Sequence, residues 1–180
     1  MKKIGLLAMA CILFAGPALA RSLGERTGVN SALGIAPKTR DFVKTAAISD
    51  MFEIQSSQLA EQKTQGDVKS FADQMVTDHT KTSAELKSQA QETHVPVPTA
   101  LDETHRKMLD KLRGLNGSDF TRQYIDDQVS GHKDAVSLFQ RYARGGRNEK
   151  LKSWAATTLP TIQHHLDMAQ GLSSKVVGSR

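Results

Sequence analysis

The chain has 180 residues, 24 Lys or Arg against 19 Asp or Glu, a formal net charge of +5, and 5% aromatic residues. That length suits one domain with a substantial core. The charges are interspersed and no basic cluster alternates with stacking rings, which argues against nucleic acid as a partner.

Met1 to Ala20 carries two lysines, an apolar run from Ile4 to Phe14, and Ala18-Leu19-Ala20 just before Arg21. This is the pattern of a secretory signal peptide with an A-x-A cleavage site. The apolar run is too short to span a bilayer, and no later stretch is long enough. We therefore expect residues 1–20 to be removed and the mature protein to be soluble in the periplasm, with no transmembrane segment. Without Lys2 and Lys3 it has 22 basic and 19 acidic residues, a net charge of +3. Ala8-Met9-Ala10-Cys11 loosely resembles a lipoprotein box but lacks its usual leucine, which leaves lipid attachment at Cys11 as a minor alternative. Cys11 is the only cysteine. Cleavage after Ala20 leaves no thiol, and so no disulfide or thiolate metal site.

Residues 21–38 are rich in Gly, Ser and Asn, have no periodicity, and are expected to form a flexible segment. Residues 39–174 are expected to form a helical domain. Thr39 or Asp41 can cap a first long helix running to about Lys63. Its solvent face carries Lys44, Gln55, Gln58 and Gln62, and opposite lie Phe42, Ala46, Ser49, Glu53, Ser56 and Ala60. Gly66 closes a turn, and Asp67 to Glu92 follow as the second long helix. Val68, Phe71, Ala72, Met75, Val76, Leu86 and Ala90 share one of its faces. His79 lies within about 20° of the Val68 and Leu86 directions, in the middle of that apolar stripe.

Val95-Pro96-Val97-Pro98 breaks the chain. Thr99 to Asp102 resembles a capping box opening a shorter helix, with Leu101, His105, Met108, Leu109 and Leu112 on one stripe. Residues 94–117 thus form a long connection containing its own helix. Asp119 to Ala143 is a third long helix whose inward arc holds Phe120, Tyr124, Val129, Phe139 and Tyr142 together with Gln128 and His132. Gly145-Gly146 stops it. Asn148 to about Leu172 is the fourth, facing inward with Leu151, Trp154, Ala155, Leu159, Ile162, His165 and Ala169, and turning His164 to solvent. Pro160 falls on its outer face. Val68-Lys-Ser-Phe-Ala72 recurs as Leu151-Lys-Ser-Trp-Ala155, an offset of 83 residues, which suggests two related helical hairpins.

Each long helix therefore presents one strongly polar residue to the interior: Glu53, His79, His132 and His165. Glu53 and His79 are each 13 residues from Gly66, so they should stand level, roughly 20 Å from the turn. Reflection through Gly145-Gly146 makes His132 and His165 miss each other by about 9 Å. The 83-residue repeat instead brings them level, and we prefer it. One Glu and three His can hold a single Zn²⁺, Cu²⁺ or Fe²⁺ ion in a bundle core. The alternative is a buried polar network with no metal, in which Glu53 pairs with His79 and the other histidines bond Thr158, Thr161, Gln128 or Tyr124, fixing helix register in a structural or interaction module. Glu-x-x-His motifs are absent, so a di-iron oxidase is the least supported reading, and no catalytic residues are assigned. Asp78, beside His79, is a candidate to orient a neighbour.

At Phe71-Ala-Asp-Gln-Met-Val-Thr-Asp78-His79-Thr, Gly131-His132-Lys-Asp-Ala-Val-Ser-Leu-Phe139 and Leu159-Pro160-Thr-Ile-Gln-His-His165-Leu, the chain resembles a bacterial exported family. This is the "domain of unknown function 4142" family, sometimes labelled predicted outer-membrane protein. The resemblance implies an all-α, ferritin-like four-helix bundle with a short helix in the long connection, and no established activity. It implies Glu53, Asp78, His79, His132 and His165 as the family's polar positions. An acid is usual where this chain has Gly131, and a Met where it has Gln128. The second Asp-His doublet is thus missing, which argues against a symmetric two-metal scheme.

Overall fold

A computed structural model describes residues 29–178. The expected signal segment, Cys11 and the first part of the 21–38 segment lie outside the described residues. Among the described residues the chain is all-α with no strand: α1 (Val29–Ala32), α2 (Thr39–Lys63), α3 (Gly66–Glu92), α4 (Glu103–Gly114), α5 (Gly117–Gly145) and α6 (Glu149–Gly178).

Local chemistry sets most of the helix ends. The Asp102 side chain accepts a hydrogen bond from the His105 amide at 3.0 Å, and that of Asn148 accepts from the Leu151 amide at 2.9 Å, each satisfying an otherwise orphaned N–H of a first turn. Gly66 and Gly117 begin α3 and α5 with φ of 61° and 55°, a left-handed conformation that favours glycine. Thr39 does not cap α2. Lys38 precedes the helix without a side-chain cap, and the Thr39 hydroxyl instead accepts a hydrogen bond from Tyr142 at 3.0 Å.

The helix α2 packs on α3 and on α5, α6 packs on α5 and on α3, and α4 lies against α2 and α5. Two apolar clusters form at opposite ends. One gathers Phe42 and Ala46 of α2, Leu86 and Ala90 of α3, Phe139 and Tyr142 of α5, and Leu151 and Trp154 of α6. Its centre is Phe42, stacked on Tyr142 with ring centroids 3.9 Å apart. The other gathers Phe52 and Ala60, Phe71 and Met75, Leu109 and Leu112, Phe120 and Tyr124, and Ala169 and Leu172. Fully burying each large side chain contributes about 1.5–3 kcal/mol, so these clusters carry most of the favourable free energy. The start of α2 and the end of α3 share one cluster with the end of α5 and the start of α6. Hence α2 and α6 run one way, α3 and α5 the other, and the connection holding α4 travels the length of the molecule.

The burial of α2 is wider than one stripe. Val43, Ala47, Ile48, Asp50, Phe52 and Ser57 are buried beside the expected face, because α3, α4 and α5 cover different sides of this helix. Phe52 meets the half-buried His105 ring of α4 edge-on, at 5.5 Å. In the described part of the segment before α2, residues 29–38, contacts with α5 shape the chain. Residues 29–32 form a single helical turn, Ser31 bonds Ser137 at 3.0 Å, and Arg141 donates to the Ile35 carbonyl at 2.7 Å.

Two glycines make opposite predictions. A Cβ on Gly146 would stand 2.6 Å from the Tyr142 carbonyl oxygen, whereas one on Gly171, inside α6, would meet nothing within 4 Å. Gly146→Ala should destabilise by about 1–3 kcal/mol through the clash. Gly171→Ala should stabilise by about 0.5–1 kcal/mol through helix propensity. Urea-unfolding midpoints of the two variants against the native chain check both signs.

Candidate metal centre

Between the two apolar clusters lies one polar layer. In α2 it comprises Asp50 and Glu53, in α3 His79, in α5 Gln128 and His132, and in α6 His165; all six are buried. The helical period delivers each side chain inward, and the antiparallel hairpins bring them to one height. The imidazole centroids of His79, His132 and His165 form a nearly equilateral triangle with sides of 5.6, 5.3 and 5.5 Å. One ligating nitrogen from each ring lies within 4.8 Å of the other two.

Each ring is held through one nitrogen. His79 Nδ1 is 2.8 Å from Asp50 Oδ1, and the Thr82 hydroxyl donates to both oxygens of that carboxylate at 3.2 Å. His165 Nε2 is 2.8 Å from Asp78 Oδ2, which also accepts from the Gln74 amide at 2.7 Å. His132 Nδ1 donates to the Gln128 main-chain carbonyl at 2.9 Å, a bond that ties the ring to its own helix. The remaining nitrogens, His79 Nε2, His132 Nε2 and His165 Nδ1, are buried and find no hydrogen-bond partner among the described residues. An unsatisfied buried polar atom costs about 1–3 kcal/mol, and three of them on three adjoining rings are unusual in a core.

Glu53 belongs to the layer but not to the close group of ligating atoms. Its Oε2 is buried without a partner, its other oxygen stands against Gly131, where a Cβ would come within 3.0 Å, and Gln128 donates to the carboxylate. Burial pushes its pKa up to about 7, although the neighbouring His79 and the Gln128 bond work the other way. Burial and the nearby His79 lower His132 to about 3, so this ring is neutral. For His79, burial disfavours the charged form, but the Asp50 bond and the charges of Asp50, Glu53 and Asp78 outweigh it and raise the pKa. Burial lowers His165 despite Asp78. Asp78 is lowered: burial opposes this, and the bonds from Gln74 and His165 prevail.

The three histidines singled out by helical spacing are thus brought together, and Asp78 does orient a neighbour, His165. His79 pairs with Asp50, not with Glu53; His132 does bond Gln128, one of the expected partners, through its main-chain carbonyl; and His165 bonds Asp78 in place of Thr158, Thr161 or Tyr124. Asp50 was missed. It lies three residues before Glu53, about 60° round the helix, and the Asp-x-x-Glu spacing on the inward side of α2 was the available signal.

These features define an all-α protein with a buried histidine triad braced by carboxylates. Residues 24–172 match the family described as "Domain of unknown function (DUF4142)", and the chain belongs to that family. No curated protein and no solved structure matches the chain.

The layer's titration has a measurable sign. Glu53, ordinarily near 4.5, holds its proton to about pH 7 when folded. Between those values the folded state binds a proton the unfolded chain has released, so its contribution weakens as pH rises and returns on acidification. His132 acts oppositely: the unfolded chain takes up its proton below about pH 6.5, and stability is lost as pH falls. Metal-free Glu53→Gln should therefore lose more stability than the native chain between pH 7 and pH 5, by roughly 1–2 kcal/mol. Urea midpoints at the two pH values measure the difference.

Proposed function

We propose that this chain is an exported, ferritin-like four-helix bundle that binds one transition-metal ion in its central layer. The observation that carries the reading is the pattern of satisfied and unsatisfied ring nitrogens. A layer that served only to fix register would use its donors and acceptors on one another. Here each imidazole is anchored on one side by a carboxylate or carbonyl and left with a bare inner nitrogen, the arrangement by which metal-binding histidines are oriented. His79 Nε2, His132 Nε2 and His165 Nδ1 are the donors proposed, and Glu53 Oε2 is the candidate fourth.

The donor set fits such an ion. Ligands at about 2.0–2.1 Å in a tetrahedral set stand roughly 3.4 Å apart, so nitrogens already within 4.8 Å of one another need only sub-ångström shifts to converge. A neutral His132 is ready to coordinate without losing a proton. A divalent cation would also offset the desolvation that pushes the Glu53 carboxyl up. Imidazole-rich donors suit Zn²⁺, Cu²⁺ or Fe²⁺. A carboxylate-bridged pair of irons is not supported, because of the three carboxylates beside the triad Asp50 and Asp78 are engaged with imidazoles, which leaves only Glu53 with a buried unpartnered oxygen. Export rests on the signal-like Met1 to Ala20 segment, which places the site where a cysteine-free donor set avoids oxidation.

Elemental analysis of protein purified without an affinity tag tests the reading. Near-stoichiometric metal is expected, lost in His79→Ala and His165→Ala, with Asp50→Asn weakening affinity about 10–100-fold through the His79 ring it holds. Chelation should lower the melting temperature of the native chain. Metal-free protein whose melting is indifferent to chelators and to added Zn²⁺, Cu²⁺ and Fe²⁺ would leave a structural envelope module with a buried polar layer.

A further inference from the structure

A polar cleft of about 220 Å³ opens between α3 and α6. Its α3 wall is Asp78, Thr82 and Glu85, with Lys81 at its rim, and its α6 wall is Thr157, Thr158 and Thr161. Two of these residues reach the layer from the other side: Asp78 bonds His165, and Thr82 bonds Asp50, the partner of His79. The inner wall of the cleft is thus the outer face of the groups that hold two of the three rings. Two other surface clefts centre on the apolar clusters and include none of the residues that bond an imidazole. One, edged by Phe71, Met168 and Leu172, lies over the apolar cluster of α4 and reaches up to Gln74 and His164, and the other, edged by Gln89 and Trp154, lies over the opposite cluster and meets the first cleft at Thr157.

We propose that this cleft is the route by which a hydrated divalent cation reaches the histidine triad, with Asp78 the last carboxylate it meets; the inference rests on the metal reading above. Size agrees. About 220 Å³ is many times the roughly 10–15 Å³ that one ordered water needs, so the cleft has room for a cation with water still bound to it. Chemistry agrees as well. The walls offer threonine hydroxyls and the carboxylates of Asp78 and Glu85, oxygen donors that can replace hydration water in steps, against the single cation Lys81. Asp78 is about a quarter exposed at its side chain while His165 behind it is 2% exposed, so one carboxylate stands at the boundary between solvent and the dry layer. Pro160, inside the helix and between Thr158 and Thr161, has no N–H to give the carbonyl a turn earlier, which interrupts the backbone ladder at the level of the cleft.

A route differs from a site in changing rates without changing the end point. The test is stopped-flow uptake of Co²⁺, followed by its visible absorption, into metal-free protein, with release measured by chelator chase. Thr161→Phe fills the cleft and leaves every proposed ligand in place. It should slow uptake and release together by about tenfold or more, with Kd held within about threefold. Lys81→Glu alters only an exposed rim charge. It should speed uptake about threefold to tenfold at low salt, the gain fading as ionic strength rises. Native protein that loads Co²⁺ while both variants load at the native rate overturns the route and leaves the site intact. Native protein that takes up no Co²⁺ overturns the site and the route with it.

Discussion

The bond between a carboxylate and a buried imidazole is what the interior of this protein is arranged around. Asp50 with His79, and Asp78 with His165, each place a polar pair where α3 crosses another helix. Neither pair is affordable in a purely apolar core, since an ionised carboxylate taken from water must be matched by hydrogen bonds and opposite charge. The surrounding groups supply the match: Thr82 donates to Asp50, and Gln74 donates to Asp78. The histidines are thereby fixed in ring orientation before any ion is considered. These two pairs, with the bond from His132 to the Gln128 main-chain carbonyl, hold the three rings in a triangle.

The two apolar clusters make that layer possible. Phe42, Tyr142 and Trp154 at one end, and Phe52, Phe71 and Phe120 at the other, are packed tightly enough to hold four long helices together across a stratum that contributes little or works against folding. Small side chains take part here as well. Gly131 leaves the gap in which the Glu53 carboxylate sits, and any larger residue there would press on it. The layer is thus a place where local rules of good core packing are broken while the rest of the molecule obeys them, which is the usual mark of a functional position.

Much of this was legible in the sequence because helices impose a strict angular period. His79, His132 and His165 fell inside apolar stripes, and the 83-residue echo between Val68–Ala72 and Leu151–Ala155 correctly favoured a common height over the mirror estimate. The turn at Gly145 and Gly146 is not symmetric: α5 ends at Gly145 and α6 resumes only at Glu149. What the period could not show was which side of α2 would be covered, and by how many neighbours. A helix touched by α3, α4 and α5 has more than one buried face, and Asp50 sits on the one that the single-stripe reading left out. The partner of His79 was also beyond reach, because whether it turns to Asp50 or to Glu53 depends on side-chain torsions and not on spacing. The turn at Val29–Ala32 escaped for a related reason, since contacts from α5 order it and its own composition does not.

The order of the helices carries a mechanical consequence. His79 comes from the first hairpin, His132 and His165 from the second, and only the long segment around α4 joins the two covalently. An ion shared by those rings would rivet one half of the molecule to the other at mid-height, acting as a crosslink in a chain that has no cysteine after position 11 to make one. Separating the halves would then require breaking coordination bonds as well as parting oily surfaces, a resistance to prying apart that the amino acids alone do not provide.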